Sequence, residues 1–226
     1  MKAGEGMPWP KATTAVLLAL ATGVAGCSVE VGLSDDPSAE AASPRVSSTA
    51  RLVRDLEGLR VAAERPGGGY DRDRFGTRWK DIDRNGCDQR NDVLARDLRD
   101  VRKRGDCVVV AGTLHDPYTG RTIAFVKSDA DEVQIDHVYP LALAWRMGAS
   151  EWDEDRRERF ANDHDNLLAV WGVPNRQKSD SGPGEWKPRK AFQCDYAARY
   201  VAVAKKYGLP VTRADRDALR TFTASC

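Results

Sequence analysis

The sequence predicts an α+β domain: a β-hairpin and a strand–connection–strand–helix series, packed among helices and stapled by disulfides. Three observations carry this expectation. The β-rich runs "CVVVAGTLH" and "RTIAFVK" flank "DPYTG", a turn with proline early and glycine last. A second pair of runs, "EVQIDHV" and "NLLAVW", leads into the polar helical segment "NRQKSD". Four cysteines outside the first 27 residues form an even set.

Taken in chain order, "ARLVRDLEGL" places Leu52, Leu56 and Leu59 on one helical face. The Gly-rich "PGGGYDRDRFG" breaks it. "NDVLARDLRDV" reads as a short amphipathic helix with Val93, Leu94, Leu98 and Val101 inward. The hairpin and the strand "EVQIDHV" follow. Pro140 then opens a helix, "PLALAWRM", which Gly148 stops. Ser150 with Asp153 has the spacing of a capping box for "EWDEDRRERFA". Strand "NLLAVW" and helix "NRQKSD" come next. Phe192, Tyr196, Tyr200, Val203 and Tyr207 recur at helical spacing before Gly208, and such an aromatic stripe reads as core. Thr212 with Asp215 caps a last helix carrying Leu219 and Phe222.

Residues 1–27 have the layout of an export signal. Lys2 and Lys11 precede the apolar "ATTAVLLALATGVA", which is too short for a permanent membrane span. Small residues before Cys27 resemble the lipobox of bacterial lipoproteins, which implies acylation of Cys27. The protein is then exported and either held by lipid on the outer face of the cytoplasmic membrane or released. Residues 28–50, rich in Ser, Ala, Pro and Asp, read as a flexible tether. Residues 51–226 suffice for one domain with its own core.

In an exported chain, Cys87, Cys107, Cys194 and Cys226 point to two disulfides. Three pairings are open; local pairing, Cys87 with Cys107 and Cys194 with Cys226, is the simplest. No C-x-x-C spacing suggests zinc. A net charge of +1 excludes a histone-like polycation. Residues 185–226 nevertheless carry nine Lys and Arg against four acids, a basic face able to meet phosphates.

The residues that carry chemistry lie in "DHVYP", "DNLLAV" and "NRQKSD". Folded as a hairpin crossed by the helix, this order gathers Asp136, His137 and Asn175. Asp136 and Asn175 offer hard oxygen donors suited to Mg²⁺ or Mn²⁺. His137 is placed to take a proton from an attacking water. "DHVYPLA", "NDHDNLLAV" and "NRQKSD" resemble the HNH, or ββα-metal, endonucleases, in the branch of the C-terminal domain of GmrSD-type restriction enzymes. That branch is common in exported actinobacterial proteins. The resemblance implies a ββα-metal core over residues 133–182, with an additional β-hairpin and flanking helices. It implies His137 as general base, Asp136 and Asn175 as ligands of one divalent ion (Mg²⁺, with Mn²⁺ as the alternative), and Asn166 holding the loop that orients His137. Asn175 stands where many HNH enzymes have histidine, which argues against tight zinc binding. Lys178 lies near the scissile phosphate or supports the helix.

The expected activity is phosphodiester hydrolysis in DNA, with RNA as a second substrate and little sequence preference, by a monomer with no protein partner. Arg176 and Arg189 are candidates for backbone contacts to nucleic acid. The rival readings are a non-catalytic surface lipoprotein that binds nucleic acid or protein, and a secreted toxin-like nuclease. "DIDRNGCDQRND" mimics the first half of an EF-hand loop, but an Asn-Gly turn is the simpler account: Cys87 stands at its seventh position and Asp92 at its twelfth.

Overall fold

The computed structural model describes residues 44–226. The export signal, Cys27 and most of the expected tether lie outside the described residues. Helix α1 (Pro44–Glu57) begins within the segment expected as tether, and Leu56 at its end is buried. The chain is a mixed α+β structure with two small sheets, seven α-helices among the described residues, and two disulfides.

Helix α2 (Gln89–Asp97) starts at Asp88, whose carboxylate accepts the Asn91 N–H at 2.8 Å. It ends before the apolar spacing of Leu98 and Val101 predicts. From Arg99 the chain is strand β1 (Arg99–Arg104), antiparallel to β2 (Val108–His115), which pairs in turn with β3 (Thr122–Val126). The expected hairpin is therefore a three-stranded sheet. The physical reason is that Leu98 and Val101 continue the helical spacing of Val93 and Leu94, whereas pairing with β2 satisfies the backbone from Arg99 onward as a strand. Leu98 packs onto Gly112, where a Cβ would meet Leu98 Cδ2 at 2.8 Å.

Strands β4 (Val133–His137) and β5 (Leu167–Trp171) form the second sheet, antiparallel and in register from Val133↔Trp171 to His137↔Leu167. Side chains alternate across this ribbon. Val133, Ile135, Leu167 and Ala169 join a core with α2 and β2; Leu168 and Val170 join the larger helical core. The ribbon is thus buried on both faces. Asp136 shares a face with Leu168 and Val170, and His137 takes the other.

The connection from β4 to β5 holds α3 (Leu141–Arg146) and α4 (Glu154–Ala161). The expected capping box at Ser150 is not formed. Asp153 itself caps α4, accepting the Arg156 N–H at 2.7 Å, while Ala149–Glu151 makes a 3-10 turn. Helix α5 (Gly172–Lys178) follows β5 directly and packs on both β4 and β5.

Helix α6 (Gln193–Tyr207) buries Tyr196, Tyr200 and Val203 fully, and the Tyr200 ring stacks on Tyr139 at 4.7 Å. Gly208 closes α6 in the left-handed conformation (φ 63°), where glycine carries no Cβ penalty. The Thr212–Asp215 capping box of α7 (Arg213–Thr223) is present, and Leu219 and Phe222 are core.

Both disulfides pair locally. Cys87–Cys107 ties the loop before α2 to the β1–β2 turn, and Cys194–Cys226 ties the first turn of α6 to the end of the chain. The second closes 32 residues, so chain-entropy arguments assign it about 3–4 kcal/mol. The double variant Cys194→Ser/Cys226→Ser is expected to lose that amount in urea unfolding. An unchanged midpoint would show that the α6–α7 packing needs no crosslink.

Candidate active site

Asp136 and His137 end β4, and their side chains make separate sets of contacts. Asp136 is buried. Its Oδ2 accepts the Tyr118 O–H at 2.5 Å, and Lys178 Nζ lies 3.0 Å from Oδ1 and 2.9 Å from Oδ2. The same ammonium donates to the His137 carbonyl at 2.9 Å. Lys178 is 0% exposed, so its charge is answered wholly from within. It reaches Asp136 because it is the last residue of α5, which lies across β4. Burial raises the Asp136 carboxyl above its ordinary range, while Lys178 and Tyr118 pull the other way. Tyr118, buried beside Asp136, is held well above the usual tyrosine range and stays a donor.

Tyr118 arrives from the β2–β3 turn. Buried Asp116 shapes that turn, accepting the Thr119 N–H at 2.9 Å with one oxygen. Its other oxygen accepts the Trp171 N–H at 2.9 Å, which docks the turn onto the end of β5.

His137 is buried against the end of α4. Its Nε2 lies 2.8 Å from the Ala161 carbonyl oxygen. A carbonyl only accepts, so Nε2 carries the proton and Nδ1 keeps the lone pair. The Trp79 ring lies parallel to the imidazole (9°), centroids 6.5 Å apart. Burial pushes His137 down to about 3, with Arg72 and Lys178 adding to the effect and the Ala161 bond opposing it. The imidazole is neutral at physiological pH.

Asn166 is fully buried and grips the backbone just beyond His137. Its amide accepts the Tyr139 N–H at 2.8 Å and donates to the Tyr139 carbonyl at 3.1 Å, and its own carbonyl accepts the Val138 N–H at 2.8 Å. Asn162, ending α4, holds the Trp79 loop similarly, accepting the Lys80 N–H and donating to the Thr77 carbonyl, both at 3.0 Å.

A cavity of about 500 Å³ opens on this site, with Tyr70, Arg72, Asp136, His137, Asn175 and Asp180 among its walls. Asn175 donates from Nδ2 to Gln134 Oε1 at 2.9 Å, so its orientation is set and Oδ1 is left to accept. Asp136 and Asn175 are both wall residues of this one cavity. A carboxylate has about four lone-pair positions, and Lys178 and Tyr118 do not fill them all. Oxygen donors of these two types are ones that a hard divalent cation takes.

The structure brings Asp136, His137 and Asn175 together and places Asn166 and Lys178 immediately behind them. Lys178 sits in the supporting position rather than on the cavity wall. Arg176 and Arg189 are exposed and are not wall residues; Arg189 covers Gly120 of the β2–β3 turn. Tyr118, Trp79 and Arg72 escaped the sequence reading. Tyr118 looked like turn composition, and Arg72 and Trp79 lie in and after the Gly-rich break, with no periodicity to mark them. Away from the cavity, Asp83, Asp92 and His164 bring ligand atoms within 4.8 Å of one another. Asn85 bonds both aspartates there, so the loop is an internally held turn.

The sequence model of the C-terminal domain of GmrSD restriction endonucleases matches residues 88–222. The chain belongs to this family. An uncharacterized secreted protein of Arthroderma benhamiae is 37% identical over 186 residues, covering 81% of this chain and 88% of that protein. No solved structure matches the chain. The part shared with the GmrSD C-terminal domain holds Asp136, His137, Asn166, Asn175 and Lys178. Tyr70, Arg72 and Trp79 lie outside it.

Two outcomes follow from the geometry. Lys178→Met leaves the Asp136 carboxylate buried without its cation and is expected to cost about 3–5 kcal/mol in urea unfolding. A loss below about 1 kcal/mol would mean that the pair contributes little to the fold. His137 has a folded pKa below its unfolded one, so its contribution is complete above pH 6.5 and is lost as pH falls toward about 3. Unfolding free energies measured across that window should fall more steeply for wild type than for His137→Gln. Parallel curves would place the proton elsewhere.

Proposed function

We propose that the protein is an exported, metal-dependent endonuclease of the HNH (ββα-metal) type that hydrolyses phosphodiester bonds in DNA, and in RNA as a second substrate, with little sequence preference. One observation carries the reading: a neutral His137, its Nε2–H bound to Ala161, shares a cavity with the oxygen donors Asp136 and Asn175. Membership of a restriction endonuclease family supports it. The order β4, β5, α5, with α5 laid on both strands, supports the reading of a ββα core.

In this reading Nδ1 of His137 accepts the proton of the attacking water. Burial, with the field of Arg72 and Lys178 adding to it, keeps the imidazole unprotonated, and an arriving phosphodiester anion raises its basicity when it is needed. Asn166 and the Ala161 carbonyl set the ring's position, and Lys178 with Tyr118 sets that of Asp136. Asp136 and Asn175 hold Mg²⁺, or Mn²⁺ in its place. When bound, the ion supplies positive charge against the charge that builds on the phosphate. Exposed Arg176 and Arg189 add backbone contacts to the nucleic acid.

We place the protein outside the cytoplasm as a monomer, anchored by lipid at Cys27 or released. The two disulfides and the secreted relative support export.

Plasmid cleavage by the whole chain in a Mg²⁺ and Mn²⁺ series tests the assignment. His137→Ala should slow the reaction by about 10²-fold or more, and EDTA should abolish it. Equal rates for His137→Ala and wild type, insensitive to EDTA, contradict it. DNA retention with no cleavage in either metal would favour the binding lipoprotein instead.

A further inference from the structure

Among the described residues on the main cavity wall, the basic side chains differ in how they are compensated. Arg146 is paired twice, with Glu64 at 2.5 Å and Asp180 at 2.8 Å. Arg72 has no ion pair or hydrogen-bond acceptor among the described residues, and its Nε is buried without a partner. It lines both the main cavity and a smaller one beside it, and His137 is a wall residue of both. A half-buried guanidinium with unfilled donors is costly to keep, and the anion that answers it best is planar or phosphoryl oxygen, taken by two parallel N–H groups.

The side chain is also held in place. Arg72 opens a 3-10 turn (Arg72–Phe75) capped by Asp71, whose carboxylate accepts the Asp73 N–H at 2.9 Å. Phe75, 1% exposed, anchors the turn between Trp145 (6.3 Å) and Phe160 (6.2 Å). Gly76 closes it against α4, where a Cβ would lie 2.7 Å from Glu158 Oε1, and Arg157 Nε donates to the Arg74 carbonyl at 2.7 Å. The turn is therefore tied to α4, whose end binds His137.

We propose that Arg72, from the segment ahead of the family-matched residues, is the phosphate-binding residue of this site and takes a non-bridging oxygen pair of the nucleic acid backbone beside His137. The proposal rests on the nuclease reading for its substrate but not for its anion. Phosphoryl oxygen is the shared chemistry of a backbone phosphate and free phosphate.

The test uses the whole chain with Arg72→Met, which keeps the apolar stem, and Arg72→Lys, which keeps the charge but not the fork. Arg72→Met should raise KM for duplex DNA and the inhibition constant of inorganic phosphate by about tenfold or more, while kcat changes less. Arg72→Lys should fall between Arg72→Met and wild type. In a His137→Ala background, fluorescence anisotropy with an uncleaved duplex should show the same weakening from Arg72→Met. Values within twofold of the parent in all three assays overturn the proposal. If Arg72→Met melts far below wild type, Arg72→Lys decides, and phosphate inhibition equal to wild type then overturns it. If wild type cleaves nothing yet Arg72→Met weakens phosphate and DNA binding, the anion site stands and the nuclease reading falls.

Discussion

The Lys178–Asp136 pair is the contact on which the rest of the site depends. Both side chains are withdrawn from water, and neither charge is tolerable alone. The ammonium bonds Asp136 and the carbonyl of His137 together, so one group fixes the last two residues of β4 and the end of α5. Helix α5 has only seven residues, too few to be stable by itself. Its position is a tertiary product, and Lys178 is the part of it that cannot shift without leaving a buried charge. Tyr118 completes the node from the β2–β3 turn, so Asp136 is one of the points at which the first sheet is tied to the second.

Around this node the alternation of β4 separates two tasks. Asp136 faces α5 and the helical core; His137 faces the end of α4 and Trp79. Neighbouring residues in sequence thus occupy environments that push them apart in character. One is an anion held against a cation, the other a neutral ring held by a carbonyl. The cavity lies where both can be reached. Asn166 makes this geometry reproducible by locking the backbone of Val138 and Tyr139 from the residue just ahead of the facing strand.

Much of this was legible in the residues. The turn chemistry of "DPYTG", the alternation of "VQIDHV", and the Thr212–Asp215 box are local signals, and local signals survive folding. The gathering of Asp136, His137 and Asn175 followed from their order on strand and helix. What was not legible depends on tertiary competition. Strand β1 was hidden because its apolar spacing suits a helix, and only an open edge of β2 decides against that. Asp153, not Ser150, caps α4, because both residues are competent caps and Ser150 lies inside the preceding 3-10 turn. Lys178 sits in a segment whose composition reads as solvated, so its complete burial had no sequence signature. Arg72 lies in a Gly-rich stretch that signals a break and nothing more.

The site's ability to act as a base depends on the state of one ring. Nitrogen-15 NMR of the whole chain with labelled histidine reports both nitrogens of His137, identified by its loss in His137→Gln. The structure requires a neutral imidazole protonated at Nε2, unchanged from pH 7 down to pH 5, because Ala161 accepts that proton and burial with Arg72 opposes a second. A ring protonated at Nδ1, or one that becomes an imidazolium near pH 6.5, would contradict it.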